Sequence, residues 1–393
     1  MTSTKTYRTL PYAIGCIFLN ILPAWAIEPA AIPIGEASLY PSLNLISGHD
    51  DNILATEEDQ ISSWVTRINP NFLFEAEKEK ILARINYSFE RGIIHNSTDD
   101  NYLDHNLTGT VFYTGNSRNR VDLRTSFIKG HEARGDEEGG AVTQTSAPLE
   151  YNLNSIKGIY TYGGIRAKGN IELSAGYKDK KFTNFRDISQ TRDFNQTDLG
   201  AAFKYRVSDR TSANVKFIRY QLDYDHSNRD NTNTRYLFGA SWEATAKTSG
   251  YIDIGWSEKD FKDSDLKDTS GGTWDISINW QPKTYSTFIF YTGQEFGEST
   301  TDSTYVDAKN YGFDWQHFWK EHIKTTLSYD VLSEDYSNSR RKDNTKNLTI
   351  AVNYEARRWI NLGLGYTKTT KNSNFSNSSF KRNIIMFSLQ ASL

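Results

Sequence analysis

Seven histidines are the natural start of a search for chemistry, because an imidazole near a carboxylate and a hydroxyl is the usual base of a hydrolase. His317 and His322 span a tight turn rather than one helix face, and no cysteine or acidic partner completes a metal set around them. His131 precedes Glu132 and the run Asp136-Glu137-Glu138. Calcium or cations that bridge lipopolysaccharide would bind weakly there, but a solvated acidic loop is the plainer reading. His49, beside Asp50 and Asp51, reads as loop decoration in the same way. Nucleophilic catalysis needs a serine, a base and an orienting acid or amide. No Gly-x-Ser-x-Gly elbow is present, and the histidines fall mostly near segment ends. We therefore expect no enzyme, no metal site and no cofactor.

Lone charges that recur inside otherwise apolar stretches are better placed to act. The basic ones are Arg67, Arg84, Arg124, Lys204, Arg206, Lys216 and Arg235. The acidic ones are Glu90, Asp122, Glu172, Glu243, Asp253, Asp275, Asp314, Asp330 and Glu355. Each sits on the polar face of a segment whose other face is apolar. Burying them in a dry core would be costly; a barrel with apolar residues outward and a wet interior holds them cheaply. They are the candidate pore-lining residues. Their mixed signs argue against a strongly ion-selective pore, which would carry rings of one charge. They suit a hydrated solute or sugar chain, with tyrosine and tryptophan at the rims able to stack on sugar rings. The structural alternative is that the charges pair across strands and hold the barrel round.

The elements that must position these charges are strands. In Trp64, Thr66, Ile68, Pro70, Phe72 and Phe74, in Ile81, Ala83, Ile85, Tyr87 and Phe89, and in Trp274, Ile276, Ile278 and Trp280, every second residue is largely apolar while its neighbours are largely polar. That period puts one set on each face of a strand. Segments of about ten residues are long enough to cross a membrane at a tilt. Pro70 conflicts mildly with a strand interior, which predicts a bulge or a site near the rim. Long polar connections at 48–60, 92–101, 130–152, 179–193, 225–233, 258–270, 295–304, 333–346 and 368–381 alternate with short turns. The turns are at 77–80, 115–118, 164–169, 208–210, 247–250, 281–283, 320–322 and 357–358. This predicts an all-β fold, a transmembrane antiparallel up-and-down β-barrel of roughly 18 strands, with 16 as the alternative. Short turns belong on the periplasmic side and long loops outside.

Composition agrees. Hydrophobic residues make up 37% of the 393 residues, too few for a helical membrane protein, while 23 Tyr, 21 Phe and 9 Trp suit strands and membrane-interface girdles. Girdle duty alone accounts for Trp280, Trp319 and Trp359. The net charge of −3 has no basic block behind it, so nucleic acid is excluded as a partner. Lys5 and Arg8, the apolar stretch 12–22 and Ala24-Trp25-Ala26 read as a cleaved secretory signal peptide over 1–26. Cys16, the only cysteine, lies within it; Ala13-Ile14-Gly15-Cys16 faintly resembles a lipoprotein box, but apolar sequence continues past it. Residues 27–38 are expected to be a periplasmic lead-in, and 39–393 the outer-membrane barrel. Gly176-Tyr177, Gly255-Trp256 and Gly365-Tyr366 form a weak repeat, in which a neighbouring aromatic is expected to lie over the bare glycine backbone.

The segment 385–393 alternates up to its last residue, resembling the closing strand that directs outer-membrane barrels to their assembly machinery, although Leu393 stands where Phe or Trp is usual. With Asp50-Asp51-Asn52, Tyr102-Leu103-Asp104-His105 and the Gly-aromatic repeats, the chain resembles the outer-membrane β-barrel proteins found with exopolysaccharide biosynthesis genes, the β-barrel porin 2 family. The resemblance implies a passive pore for exported polysaccharide, without catalytic residues. Its partners would be outer-membrane lipid, lipopolysaccharide, the polysaccharide and periplasmic export components. The alternative is a general small-solute porin. Such a porin predicts a long loop folded inward, for which 130–152 is the candidate. An outer-membrane barrel enzyme ranks third.

Overall fold

The computed structural model describes residues 31–135, 145–243, 247–299 and 303–392. Its strands are β1 (Ile32–Ile34), β2 (Ala37–Asp50), β3 (Ser63–Lys78), β4 (Ile81–Ile94), β5 (Tyr102–Thr114) and β6 (Asn119–Glu132). They continue as β7 (Leu149–Tyr162), β8 (Gly169–Phe182), β9 (Phe194–Ser208), β10 (Thr211–Tyr224), β11 (Asn231–Trp242) and β12 (Thr248–Phe261). The last are β13 (Thr269–Lys283), β14 (Ser286–Glu298), β15 (Tyr305–Lys320), β16 (Ile323–Tyr336), β17 (Lys342–Arg357), β18 (Ile360–Ser373) and β19 (Phe380–Ser392). From β2 onward each strand pairs antiparallel with the next, and β19 pairs back onto β2 through registers such as Met386↔Gly48. The 18 strands β2–β19 thus form a closed barrel with no free edge. The remaining strand, β1, folds back on β2 as a hairpin, Ile32 opposite Leu39, so part of the expected lead-in lies along the wall.

The short turns and long loops alternate as the sequence predicts. Register irregularities next to the short turns, at Thr211/Ser212, Trp280/Lys283, Phe318/Lys320 and Glu355/Arg357, add local twist where the chain reverses. The strands are longer than expected, up to 16 residues in β3, β15 and β17. Much of the loop expected over 333–346 is therefore strand: Ser333 pairs with Asn344 and Asp335 with Lys342. Pro70 causes neither a bulge nor a register slip. The β3–β4 ladder skips it, with Ile68↔Arg91 on one side and Asn71↔Ser88 on the other. The donor that proline lacks is replaced by the Asn69 amide, which donates to the Phe89 carbonyl at 2.9 Å.

One face of the wall carries the exposed large apolar side chains, among them Ile85, Phe127, Ile254, Phe387 and Phe238, the last 61% exposed. A soluble protein would not leave so continuous an apolar surface in water; here it forms a lipid-facing band. Trp280, Trp319 and Trp359 stand exposed at the short-turn end of that band. The glycine repeat behaves differently from expectation. A Cβ on Gly176 would meet Ile156 and Asp198, and one on Gly255 would meet Tyr236 main chain. The aromatic cover lies elsewhere: the Tyr102 ring occupies the place of a Cβ on Gly92, and the Tyr291 ring that of one on Gly312.

Candidate functional site

Ladder partners share a face, so the apolar band identifies which side chains point inward. Ile254 and Trp274 pair on the outer face, and their neighbours Asp253 and Asp275 pair on the inner one. Following the ladders round the barrel, the inner face receives Arg67 (opposite Ile46), Arg84 (opposite Glu75) and Glu90 (opposite Asp104). It also receives Asp122 (opposite Ile159), Arg124 (opposite Lys157), Glu172 (opposite Ala202) and Lys204 (opposite Asn214). Arg206, Lys216, Arg235, Asp314, Asp330 and Glu355 fall on the same face. Glu243 does not. The strand ends at Trp242, and Glu243 sits exposed at the short turn with its N–H donating to the Arg210 carbonyl at 2.7 Å.

The inner charges are unevenly distributed: basic residues outnumber acids on β6 to β11, where Asp122, Glu172 and Asp198 share the face, and acids dominate on β12 to β16. Arg124, Lys157, Lys178, Lys204, Lys216 and Arg235 lie on β6 to β11; Asp253, Asp275, Glu295, Asp314 and Asp330 lie on β12 to β16. Lys216 donates to Asp253 at 2.6 Å where the two arcs meet. Tyr251 donates to Asp275 at 2.9 Å and the Asn347 amide to Asp330 at 2.9 Å. The remaining inner wall presents Asn, Ser and Thr, for example Asn71, Ser88, Asn106, Thr349 and Thr367.

Ion pairs crowd the long-loop end. Glu132 accepts from Lys180 and from Arg192, both at 2.5 Å. Lys180 and Arg192 lie over the Phe182 ring, both at 4.8 Å from its centre. Lys259 pairs with Glu298, and Asp343 accepts from Arg341 at 2.6 Å and from Lys371 at 3.0 Å. This lattice stiffens the wall above the apolar band with charges other than the candidate pore-lining ones.

A loop folds inward: the β2–β3 connection, residues 51–62. The middle of the expected 130–152 connection, residues 136–144, lies outside the described residues. Ile53 and Leu54 pack against Val65, Ile94, Ile384 and Met386, all buried on the inner face. The text Asp50-Asp51-Asn52 is its anchor. Asn52, fully buried, donates its amide to the carbonyls of Thr56 at 2.8 Å and Lys381 at 2.9 Å, and accepts from the Thr56 N–H at 3.1 Å. Asp50, 2% exposed, takes a bidentate bond from Arg382, and Asp51 accepts from the Asn383 backbone and amide, both at 2.6 Å. The base of the β6–β7 connection then leans on this loop. Arg134 binds Asp100 through two bonds, and Gly135, with φ +84°, lies so close that a Cβ would stand 1.7 Å from the Leu54 carbonyl oxygen. Two adjacent apolar residues, Ile53 and Leu54, inside a polar loop were the signal for this arrangement.

The histidines find mundane partners. His131 bonds Asp104 at 2.9 Å and stacks on Tyr102, which donates to Glu90 at 2.6 Å. His322 approaches Glu355 at 3.7 Å. His49 packs edge-on to Trp64, on the face opposite Asp50, so the two cannot act as a pair. The acidic run Asp136-Glu137-Glu138 and the signal-peptide segment lie outside the described residues.

A family profile described as putative beta-barrel porin 2 matches residues 25–393. No curated protein matches the sequence. Among solved structures, OccK3 (OpdO) of Pseudomonas aeruginosa aligns with a TM-score of 0.54 at 11% identity, covering 90% of this chain and 96% of that one. OccAB3 of Acinetobacter baumannii gives 0.51 at 10% identity, covering 90% and 99%. OpdK of P. aeruginosa, solved with vanillate, gives 0.53 at 10% identity, covering 90% and 99%. At these identities the likeness is one of fold.

Proposed function

Because this chain belongs to the putative beta-barrel porin 2 family and is a porin-like barrel of the bacterial outer membrane, we propose that it is a general porin through which small hydrophilic solutes diffuse. The observation that carries this reading is a closed barrel, apolar outside and polar inside, whose mouth is narrowed by a loop clamped at Asn52. A fixed inward loop sets a size limit, which suits sieving of small molecules. The crystallisation of OpdK with vanillate, a small molecule, supports the same direction. Polysaccharide export rests on the association with exopolysaccharide genes alone, and nothing in the fold or the comparisons adds to it. The inner charges, from Arg67 round to Glu355, would then line the solute path. We propose no catalytic role.

The test is reconstitution of the purified barrel into liposomes and planar bilayers. Open-channel conductance is expected, with entry rates of neutral sugars falling steeply from monosaccharides to trisaccharides. A barrel that conducts no ions and admits no sugar would refute the reading. So would a deletion strain that retains normal small-solute uptake but accumulates polymer in its periplasm; that result would restore export.

A further inference from the structure

The inner charges are not merely mixed. They are unevenly spread round the wall: bases outnumber the acids Asp122, Glu172 and Asp198 on one arc, and acids dominate the next. Arg124, Lys157, Lys178, Lys204, Lys216 and Arg235 occupy consecutive strands β6 to β11. Asp253, Asp275, Glu295, Asp314 and Asp330 occupy the next five, β12 to β16. The third sector, β19 and β2 to β4, is covered at the long-loop end by Ile53 and Leu54 packed on Val65, Ile94, Ile384 and Met386. The two charged arcs lie outside that covered sector.

Resting on the porin reading above, we propose that the lumen is transversely polarised and favours zwitterionic solutes: small molecules bearing both an ammonium and a carboxylate. Low-dielectric walls focus the field of fixed charges into a wet cleft. A zwitterion can turn its ammonium toward Asp275, Asp314 and Asp330 and its carboxylate toward Arg124, Lys157 and Lys204, gaining at both walls. A simple ion gains at one wall and loses at the other, so the native channel discriminates weakly between cations and anions. The field acts only within about a Debye length, about 8 Å at physiological ionic strength, so it operates where the passage is narrow.

The experiment measures entry of radiolabelled 4-aminobutyrate and erythritol, a zwitterion and a neutral polyol of similar size, into proteoliposomes holding the full barrel. Native protein is expected to admit 4-aminobutyrate several-fold faster at low salt. That preference should vanish at about 1 M salt, where the Debye length is about 3 Å. Asp275→Asn/Asp314→Asn/Asp330→Asn should abolish the preference and make the channel anion-selective by reversal potential. Arg124→Gln/Lys157→Gln should also abolish it and shift selectivity toward cations, so the proposal does not depend on one variant folding. Equal entry of both solutes in a conducting native channel would overturn this inference and leave the porin reading standing. Absence of any flux would overturn both.

Discussion

Asn52→Ala should loosen the inward loop without dissolving the barrel. The side chain makes three hydrogen bonds of 3.1 Å or less, two with Thr56 and one to the Lys381 carbonyl, besides a longer one from the Thr56 hydroxyl. At a net value of about 1 kcal/mol each, its loss weakens docking by about 3 kcal/mol. Burial of Ile53 and Leu54 contributes about 1.5–3 kcal/mol apiece, so the loop stays mainly docked while its open fraction rises. With about 1.4 kcal/mol per factor of ten, that rise is about a hundredfold. The assay introduces Leu54→Cys after replacing Cys16, the only cysteine, with serine. It then measures the rate at which a charged, membrane-impermeant thiol reagent modifies position 54. In the native background the site is shielded and reacts slowly; with Asn52→Ala the rate should rise by about two orders of magnitude. Current traces should show brief openings to a larger conductance. Equal modification rates in two barrels that both migrate as compact, heat-modifiable species would refute the reasoning.

Three further outcomes follow from the same geometry. Asp50→Ala should leave the largely buried Arg382 guanidinium without its bidentate partner and cost about 3 kcal/mol, read as a lower temperature for loss of the compact form on gels; Asp50→Ala/Arg382→Ala should recover part of the loss. Phe238→Arg, on the lipid face, should cost about 2–4 kcal/mol of folding stability in bilayers, whereas Thr108→Arg, on the inner face between Asn86 and Ser126, should cost much less when both are titrated with urea. Gly135→Ala places a Cβ against the Leu54 carbonyl at a φ of +84° and should raise thiol labelling of Leu54→Cys by lifting the loop base, with the strand ladders unchanged by circular dichroism.

The barrel itself was legible because two signals coincide: alternation on the strands and clusters of turn residues between them. The faces were legible too, since Arg235 beside Tyr236 or Asp253 beside Ile254 leaves only one sensible side for the charge. Legibility failed where the lipid ends. Above it both faces of a hairpin are wet, so segments such as Ser333–Tyr336 and Lys342–Lys346 carry no apolar alternation although they remain paired. At the short-turn end β11 stops at Trp242, one residue before Glu243. The inward loop 51–62 was overlooked because length drew attention to 130–152, while the shorter connection held the apolar pair. At Gly176 and Gly255 of the Gly-aromatic repeat, main chain or a carboxylate, not a ring, is what a Cβ would first meet.

The anchor of the inward loop has a consequence for biogenesis. Asn52 reaches Lys381 across 329 positions of sequence, and Asp50 reaches Arg382 across 332. Contacts of such long range form late, after intervening strands have paired. A half-built barrel, still open along the edge between its first and last strands, therefore has no fixed constriction. The same few residues that zip that edge shut also seat the loop. Completion of the wall and narrowing of the passage become one event, so the membrane acquires its sieve at the moment it acquires the hole.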